Sequence, residues 1–259
     1  MDITLNKNKK IGEVLYIVEG EKTEPFILHR IFTKIFDYQL EIQKRNDKDR
    51  RCYNSKENPN SKVFVINTEE SNIKFIDDSN AFLNNLFSTL MYDYDFDVDN
   101  AAIYYLFDRD DKSNKDPQLV EALLHKLTSA LGNPDYDSYD RQGLLLLSYP
   151  SIESFTLSNF SENTLDLQFD TGHDLKEYLH EQKFNQSRIS EETLCHATHE
   201  LLDSIKRING GVYNLDDFEQ CNMDVFHYEE QMRKEHELYH ALSMIGFSLL
   251  DLGLIQISD

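Results

Sequence analysis

Hydrophobic residues are distributed along this chain in two rhythms. Val14-Leu15-Tyr16-Ile17-Val18, Ala102-Ile103-Tyr104-Tyr105-Leu106-Phe107 and Gly143-Leu144-Leu145-Leu146-Leu147-Ser148 are nearly unbroken apolar runs. Residues 62–66, Lys-Val-Phe-Val-Ile, read as another strand. Runs of this length suit strands buried on both faces of a sheet. Between them the spacing turns helical. Thr23 and Pro25 open a segment with Leu28, Ile31, Phe32, Ile35 and Phe36 on one face, and Ile73, Ile76, Phe82, Leu83, Leu86, Phe87 and Leu90 continue the pattern. Residues 118–131 read as a further helix, 38–43 as a short strand, and the charged, Asn-rich stretch 44–61 as an exposed loop. Strand alternating with helix predicts an α/β fold with a mostly parallel sheet over residues 11–160. From residue 161 to 259 the strand signal fades. Helices are expected there at about 174–183, 190–207 and 228–250, with Gly210-Gly211 as a break, and the region reads as mainly helical. No internal repeat is visible.

Composition narrows the function classes. The 259 residues carry 47 acidic against 26 basic side chains, a formal net charge of -21. That field repels polyanions unless cations or a local basic surface intervene. Lys7, Lys9, Lys10, Lys44, Arg45, Lys48, Arg50 and Arg51 are the residues from which such a surface could form. The apolar runs are far shorter than a membrane span, and the N-terminal ten residues are polar and lysine-rich, so the expectation is a cytoplasmic protein with no membrane contact. Cys52, Cys195 and Cys221 are too few and too scattered for a disulfide framework or a zinc ribbon.

Candidate chemistry lies where the apolar runs stop. The first ends at Glu19-Gly20, with Glu24 beyond it, and the second at Asp108-Arg109-Asp110-Asp111. Ligands collect at the C-terminal edge of parallel strands. If the two strands are neighbours, four or five carboxylates converge there, repel one another, and are relieved by a hard cation held through oxygens, Mg²⁺ or Mn²⁺. In an extended Asp-x-Asp, Asp108 and Asp110 face the same way and Arg109 points elsewhere. The competing account is that acids after strands are common, because they suit loops and helix N-termini. Two other constellations are weaker. His236-Glu237-Leu238-Tyr239-His240 has the H-E-x-x-H spacing of zinc proteases, but no third ligand follows and a plain helix with Leu238, Leu242, Ile245 and Leu249 as its apolar stripe is preferred. Cys195, His196 and His199 lack a fourth group and read as ordinary helix residues.

Val18-Glu19-Gly20-Glu21-Lys22-Thr23-Glu24-Pro25, followed by Phe107-Asp108-Arg109-Asp110-Asp111, resembles the Toprim domain, and most closely its RloB-like branch. The segment Tyr149-Pro150-Ser151-Ile152-Glu153-Ser154-Phe155-Thr156-Leu157-Ser158-Asn159-Phe160 is similar to that family's third signature, sharing Pro150, Glu153 and Phe160 but carrying Tyr149, Phe155 and Asn159 where the family has Asn, Trp and His. The resemblance spans about residues 11–160. It implies a Rossmann-like Toprim core in which Glu19, Asp108 and Asp110 hold Mg²⁺. By analogy with OLD-type members, Glu24 and Glu153 would serve a second metal, the alternative for Glu24 being a cap on its helix, since its spacing from Glu19 is one residue longer than in that branch. Asp111 is a further candidate ligand, and Lys112 and Arg109 could offset charge in the transition state. The activity implied is hydrolysis of phosphodiester bonds in DNA or RNA, in bacterial defence against phage and often beside an ATPase. The helical C-terminal region could form a homodimer or dock that partner. A non-catalytic or regulatory subunit of the same fold is the alternative.

Overall fold

The computed structural model describes residues 2–45, 48–68, 72–77, 81–110, 114, 116–130, 143–210 and 218–258, with the side chains of 43–45, 48 and 49 left undescribed. The strands are β1 (Asp2–Leu5), β2 (Glu13–Val18), β3 (Gln39–Arg45), β4 (Lys48–Asn54), β5 (Lys62–Asn67), β6 (Ala102–Asp108), β7 (Thr128–Ser129), β8 (Gly143–Tyr149), β9 (Gln168–Phe169), β10 (Tyr239–His240), β11 (Leu242–Ser243) and β12 (Ile255–Ser258). The α-helices are α1 (Thr23–Arg30), α2 (Phe82–Tyr94), α3 (Pro117–Lys126), α4 (Glu153–Ser158), α5 (Gly172–Glu181), α6 (Glu191–Ile208), α7 (Phe218–His236) and α8 (Ile245–Asp251).

The fold is α/β. Its main sheet has the order β11-β8-β6-β2-β5-β4-β3, with β7 paired to β8. The contacts β8–β6, β6–β2 and β2–β5 are parallel, while β11, β7, β4 and β3 add on antiparallel. The sheet is therefore mixed, parallel at its centre. The apolar runs read from the sequence are those four central strands. Val14 to Val18 have no solvent exposure because helices cover both faces. On one face Tyr16 stacks with Tyr104, meets Phe32 of the π-helical turn after α1, and donates to Ser248 Oγ of α8. On the other, Phe64 packs edge-on against Tyr94 of α2 and against Phe96.

Three expectations are corrected. Residues 44–61 are not a loop throughout, because β4 pairs with β3 as an antiparallel hairpin and with β5 as a sheet strand. Cys52 and Tyr53 anchor it in the core while its polar residues hid the strand from a hydrophobic reading. The helix expected to about residue 131 stops at Lys126 and gives way to β7. The helix expected over 228–250 ends at His236: Glu237 takes a positive φ of 59°, and the chain returns as β10, β11 and α8. Buried Glu229 draws that return inward, accepting from the His240 amide at 3.0 Å and contacting its Nδ1 at 3.1 Å. The two histidines of the H-E-x-x-H string thus share no helix face.

The region beyond residue 160 contributes to the same core as the sheet, through Ile189, Leu194, Val225 and Phe247 among others. β11 extends the main sheet beside β8, tied further by a 2.8 Å contact between Ser148 Oγ and Ser243 Oγ. β12 pairs with β1. Among the described residues no helix is long and apolar enough to cross a membrane.

Gly143 opens β8 with φ +130°, and a Cβ there would stand 2.2 Å from Tyr105 Cε2 and 3.2 Å from the Ile103 carbonyl. Gly143→Ala should therefore lower stability by more than about 2 kcal/mol in urea unfolding, since backbone strain and overpacking act together. A loss below about 0.5 kcal/mol, the range of a neutral surface change, would show that β8 can start in another conformation.

Candidate functional site

Each central strand hands over to a loop at the same edge of the sheet. Glu19 follows β2, Asp108 closes β6, and Glu153 opens α4 just after β8. Parallel pairing sets them side by side: the Glu19 amide donates to the Leu106 carbonyl at 3.1 Å, and the Arg109 amide to the Ser148 carbonyl at 2.9 Å. Glu19, Glu24 and Glu153 are buried, at 5%, 4% and 7% exposure, where charged groups need partners.

Those partners are largely backbone amides. Glu19 Oε2 accepts from the Asp108 amide at 2.8 Å. Asp108 Oδ1 accepts from the Ile152 amide at 2.7 Å, which ties the end of β6 to the turn after β8. Glu24 Oε1 accepts from the Gly20 amide at 2.9 Å. Gly20 is required for this fold-back, because a Cβ would lie 2.5 Å from Glu24 Oε2. Glu24 is thus on the site side of its loop; Lys22 is the N-cap residue of α1, and its own side chain makes no cap hydrogen bond. Glu153 Oε2 accepts from Ser151 Oγ at 2.8 Å, and Oε1 lies 3.4 Å from Lys176 Nζ on α5.

The electrostatics bind these four carboxylates into one unit. Asp108 is held well above the ordinary carboxylate range, first by burial, then by the charges of Glu24, Glu19 and Glu153, with the Ile152 amide pulling the other way. Glu24 is raised as well, again by burial first, against hydrogen bonds from its own amide and that of Gly20, with Glu153 adding to the rise and Lys176 opposing it. Mutual repulsion of this kind raises protonation in a cluster of carboxylates.

Asp110 lies past the end of β6, and its carbonyl accepts from the Asn114 amide at 3.2 Å. Asp111 and Lys112 lie outside the described residues. Among the described residues no three His, Cys, Asp or Glu side chains are drawn close enough to hold a metal ion in their present arrangement. Each of the four carboxylates has one oxygen fixed to the scaffold, and the donors are all oxygens, the chemistry that suits Mg²⁺ or Mn²⁺ rather than a softer metal.

Arg109 does not face the carboxylates. It is 2% exposed and grips Glu230 of α7 with both arms, Nε to Oε1 at 2.7 Å and Nη2 to Oε2 at 3.0 Å, while Nη1 donates to the Asn114 carbonyl. A role in offsetting transition-state charge is therefore not what its geometry serves. Asn114 is the residue that sequence reasoning missed: its Nδ2 reaches Glu19 Oε2 at 3.4 Å and the Asp108 carbonyl, and its Oδ1 accepts from the Ile73 amide at 2.9 Å. Neither Asn114 nor Lys176 sits at a motif spacing that could have marked it. His196 contacts the Ser158 carbonyl through Nδ1 at 2.8 Å, in keeping with the ordinary helix role read for it.

Comparisons with protein-family models, with curated proteins and with solved structures return no match to this chain.

The raised carboxyls have a stability consequence whose sign is fixed. A group whose folded pKa lies above its unfolded value, about 3.9 for Asp and 4.3 for Glu, gives the native state the more bound protons. Its stabilisation is complete below the unfolded value and is lost as pH rises through the folded one. In a chelator, Asp108→Asn should accordingly gain thermal stability relative to the parent as pH is raised above about 4, the unfolded value, because the variant no longer loses that proton. A difference in Tm that stays flat across this range would show that Asp108 carries no raised titration.

Proposed function

We propose that the chain is a metal-dependent phosphodiester hydrolase of the Toprim, RloB-like type, acting on DNA or RNA in the bacterial cytoplasm as part of antiviral defence. The observation that carries this reading is the convergence of buried Glu19, Glu24 and Glu153 with half-buried Asp108, mutually repelling, at the C-terminal edge of the parallel strands. A cluster of that sign and chemistry is stabilised by a divalent cation. Glu19 and Asp108 would hold it, with Glu24 and Glu153 positioned for a second ion and Asp110 for completing the first. When bound, Mg²⁺ or Mn²⁺ supplies Lewis-acid polarisation of a scissile phosphate and stabilises charge on the departing oxygen.

The chain's own part is to prepare the donors. The amides of Gly20, Asp108 and Ile152 fix one oxygen each of Glu24, Glu19 and Asp108, so the carboxylates lose little freedom on engaging a cation. Lys176 holds Glu153 by a contact long enough to yield. Because Asp108 and Glu24 are held above the ordinary carboxylate range, loading a cation should release whatever protons they still carry.

A second reading has its own support. The net charge of -21 and the lack of three gathered ligands among the described residues favour a non-catalytic subunit that serves beside an ATPase partner.

Titration calorimetry with Mn²⁺ separates the two. The parent should bind, with an apparent heat that varies with buffer ionisation enthalpy as protons are released; Asp108→Asn should lose the binding, and Asp110→Asn reports whether that residue is a ligand. Cleavage of nucleic acid should fall by at least about 100-fold in Asp108→Asn, the scale on which loss of one charge-stabilising group is felt. A parent protein that neither binds Mn²⁺ nor cleaves DNA or RNA sinks the hydrolase and leaves the subunit.

A further inference from the structure

The β3–β4 hairpin is the most basic element of an acidic chain. Residues 44–51 hold Lys44, Arg45, Lys48, Arg50 and Arg51 against Asp47 and Asp49, five bases to two acids, where the whole chain has 26 to 47. Its backbone register makes that imbalance sharper. Lys44 stands opposite Asp49, but Arg45 stands opposite Lys48 and Gln43 opposite Arg50. By the two-residue period of a strand, positions 45, 48 and 50 belong to one face of the hairpin. Like charges at directly opposed positions destabilise a hairpin unless an anion lies between them. Arg50 is half-buried, and its Nε has no hydrogen-bond partner among the described residues.

The hairpin also ends in the right place. β4 runs antiparallel to β5 with Arg51 opposite Val65, so each step back along β4 is a step forward along β5: three steps, 51 to 48, carry Lys48 level with Thr68. β5 runs parallel to β2 with Val18 opposite Asn67, which sets Thr68 level with Glu19, and Thr68 Oγ1 reaches the Glu19 carbonyl at 3.4 Å. The basic end of the hairpin therefore rises at the same sheet edge as the carboxylates. β4 is two strands and β3 three strands from β2. At about 4.8 Å per strand this is a lateral distance on the order of 10–15 Å. A nucleic-acid strand with one phosphate per roughly 3.4 Å covers that distance with three or four phosphates.

We propose that the β3–β4 hairpin is the arm that holds the phosphate backbone of a nucleic-acid strand while the strand crosses the carboxylate cluster. It rests on reading the cluster as a phosphodiester hydrolase. The arm answers the difficulty set by the net charge, because it supplies local positive potential where a polyanion must approach.

The test is fluorescence anisotropy with labelled single-stranded DNA and RNA oligonucleotides, in Ca²⁺, across a series of salt concentrations. Replacing all five bases by glutamine (Lys44→Gln, Arg45→Gln, Lys48→Gln, Arg50→Gln, Arg51→Gln) should weaken binding at least about 10-fold and flatten the dependence of log K on log salt by about 0.7 for each phosphate that the hairpin no longer neutralises. The charge-retaining set Arg45→Lys, Arg50→Lys and Arg51→Lys should keep both affinity and slope. If the five-residue variant does not fold, Lys44→Gln with Lys48→Gln alone should still flatten the slope by the share of two phosphates. Unchanged affinity and slope in a folded variant, or no binding by the parent, overturns the arm. Binding through the hairpin without cleavage in Mg²⁺ or Mn²⁺ sinks the hydrolase and leaves the arm, whereas cleavage by a parent whose binding ignores the hairpin sinks the arm and leaves the hydrolase.

Discussion

Placing carboxylates side by side away from water is among the least favourable things a chain can do, and the edge of this sheet is organised around making it tolerable. Glu19, Glu24 and Asp108 each accept a hydrogen bond from a backbone amide. Amide donors suit this purpose, because they neutralise no charge and so leave the cluster its attraction for a cation. A lysine or arginine at the centre would have stabilised the empty cluster more and closed it. The arginine that follows Asp108 is instead turned away and engaged elsewhere.

That elsewhere is α7. The paired contact of Arg109 with Glu230 is almost wholly removed from solvent on the arginine side, and breaking such a pair leaves a buried charge without its counterpart. Arg109 also holds the carbonyl of Asn114, whose amide group in turn touches Glu19 and the Asp108 carbonyl. A helix from the last quarter of the chain is thereby connected through three residues to the carboxylates at the ends of β2 and β6. Below it, buried Glu229 and His240 fix the point where the chain leaves that helix and turns back to the sheet.

Much of this was legible in the amino-acid sequence, and the exceptions share a cause. Unbroken apolar runs revealed β2, β6 and β8, because central strands covered on both faces have no polar side to blur them. The acids at their ends were visible for the same reason: a charge directly after such a run has little else to be. β4 was hidden, since a strand that buries only Cys52 and Tyr53 fully and carries cations before them looks like a loop. The break after His236 was hidden because Leu238, Leu242, Ile245 and Leu249 continue a helical spacing, and only the tertiary pairing of Glu229 with His240 decides against it. Asn114 and Lys176 had no local signature at all. Their importance comes from what the fold brings beside them.

The long separation between Arg109 and Glu230, 121 residues, also sets an order of assembly. A chain made from its N-terminus produces all four carboxylates, and the strands that carry them, well before α7 exists. Contacts so distant in sequence close late and slowly. Until they close, the loop after β6 lacks its anchor, and β8 lacks the short strand β11 that flanks it. The incomplete chain therefore holds the carboxylates without the brace that orders them, and that brace forms only when the final helices have folded back.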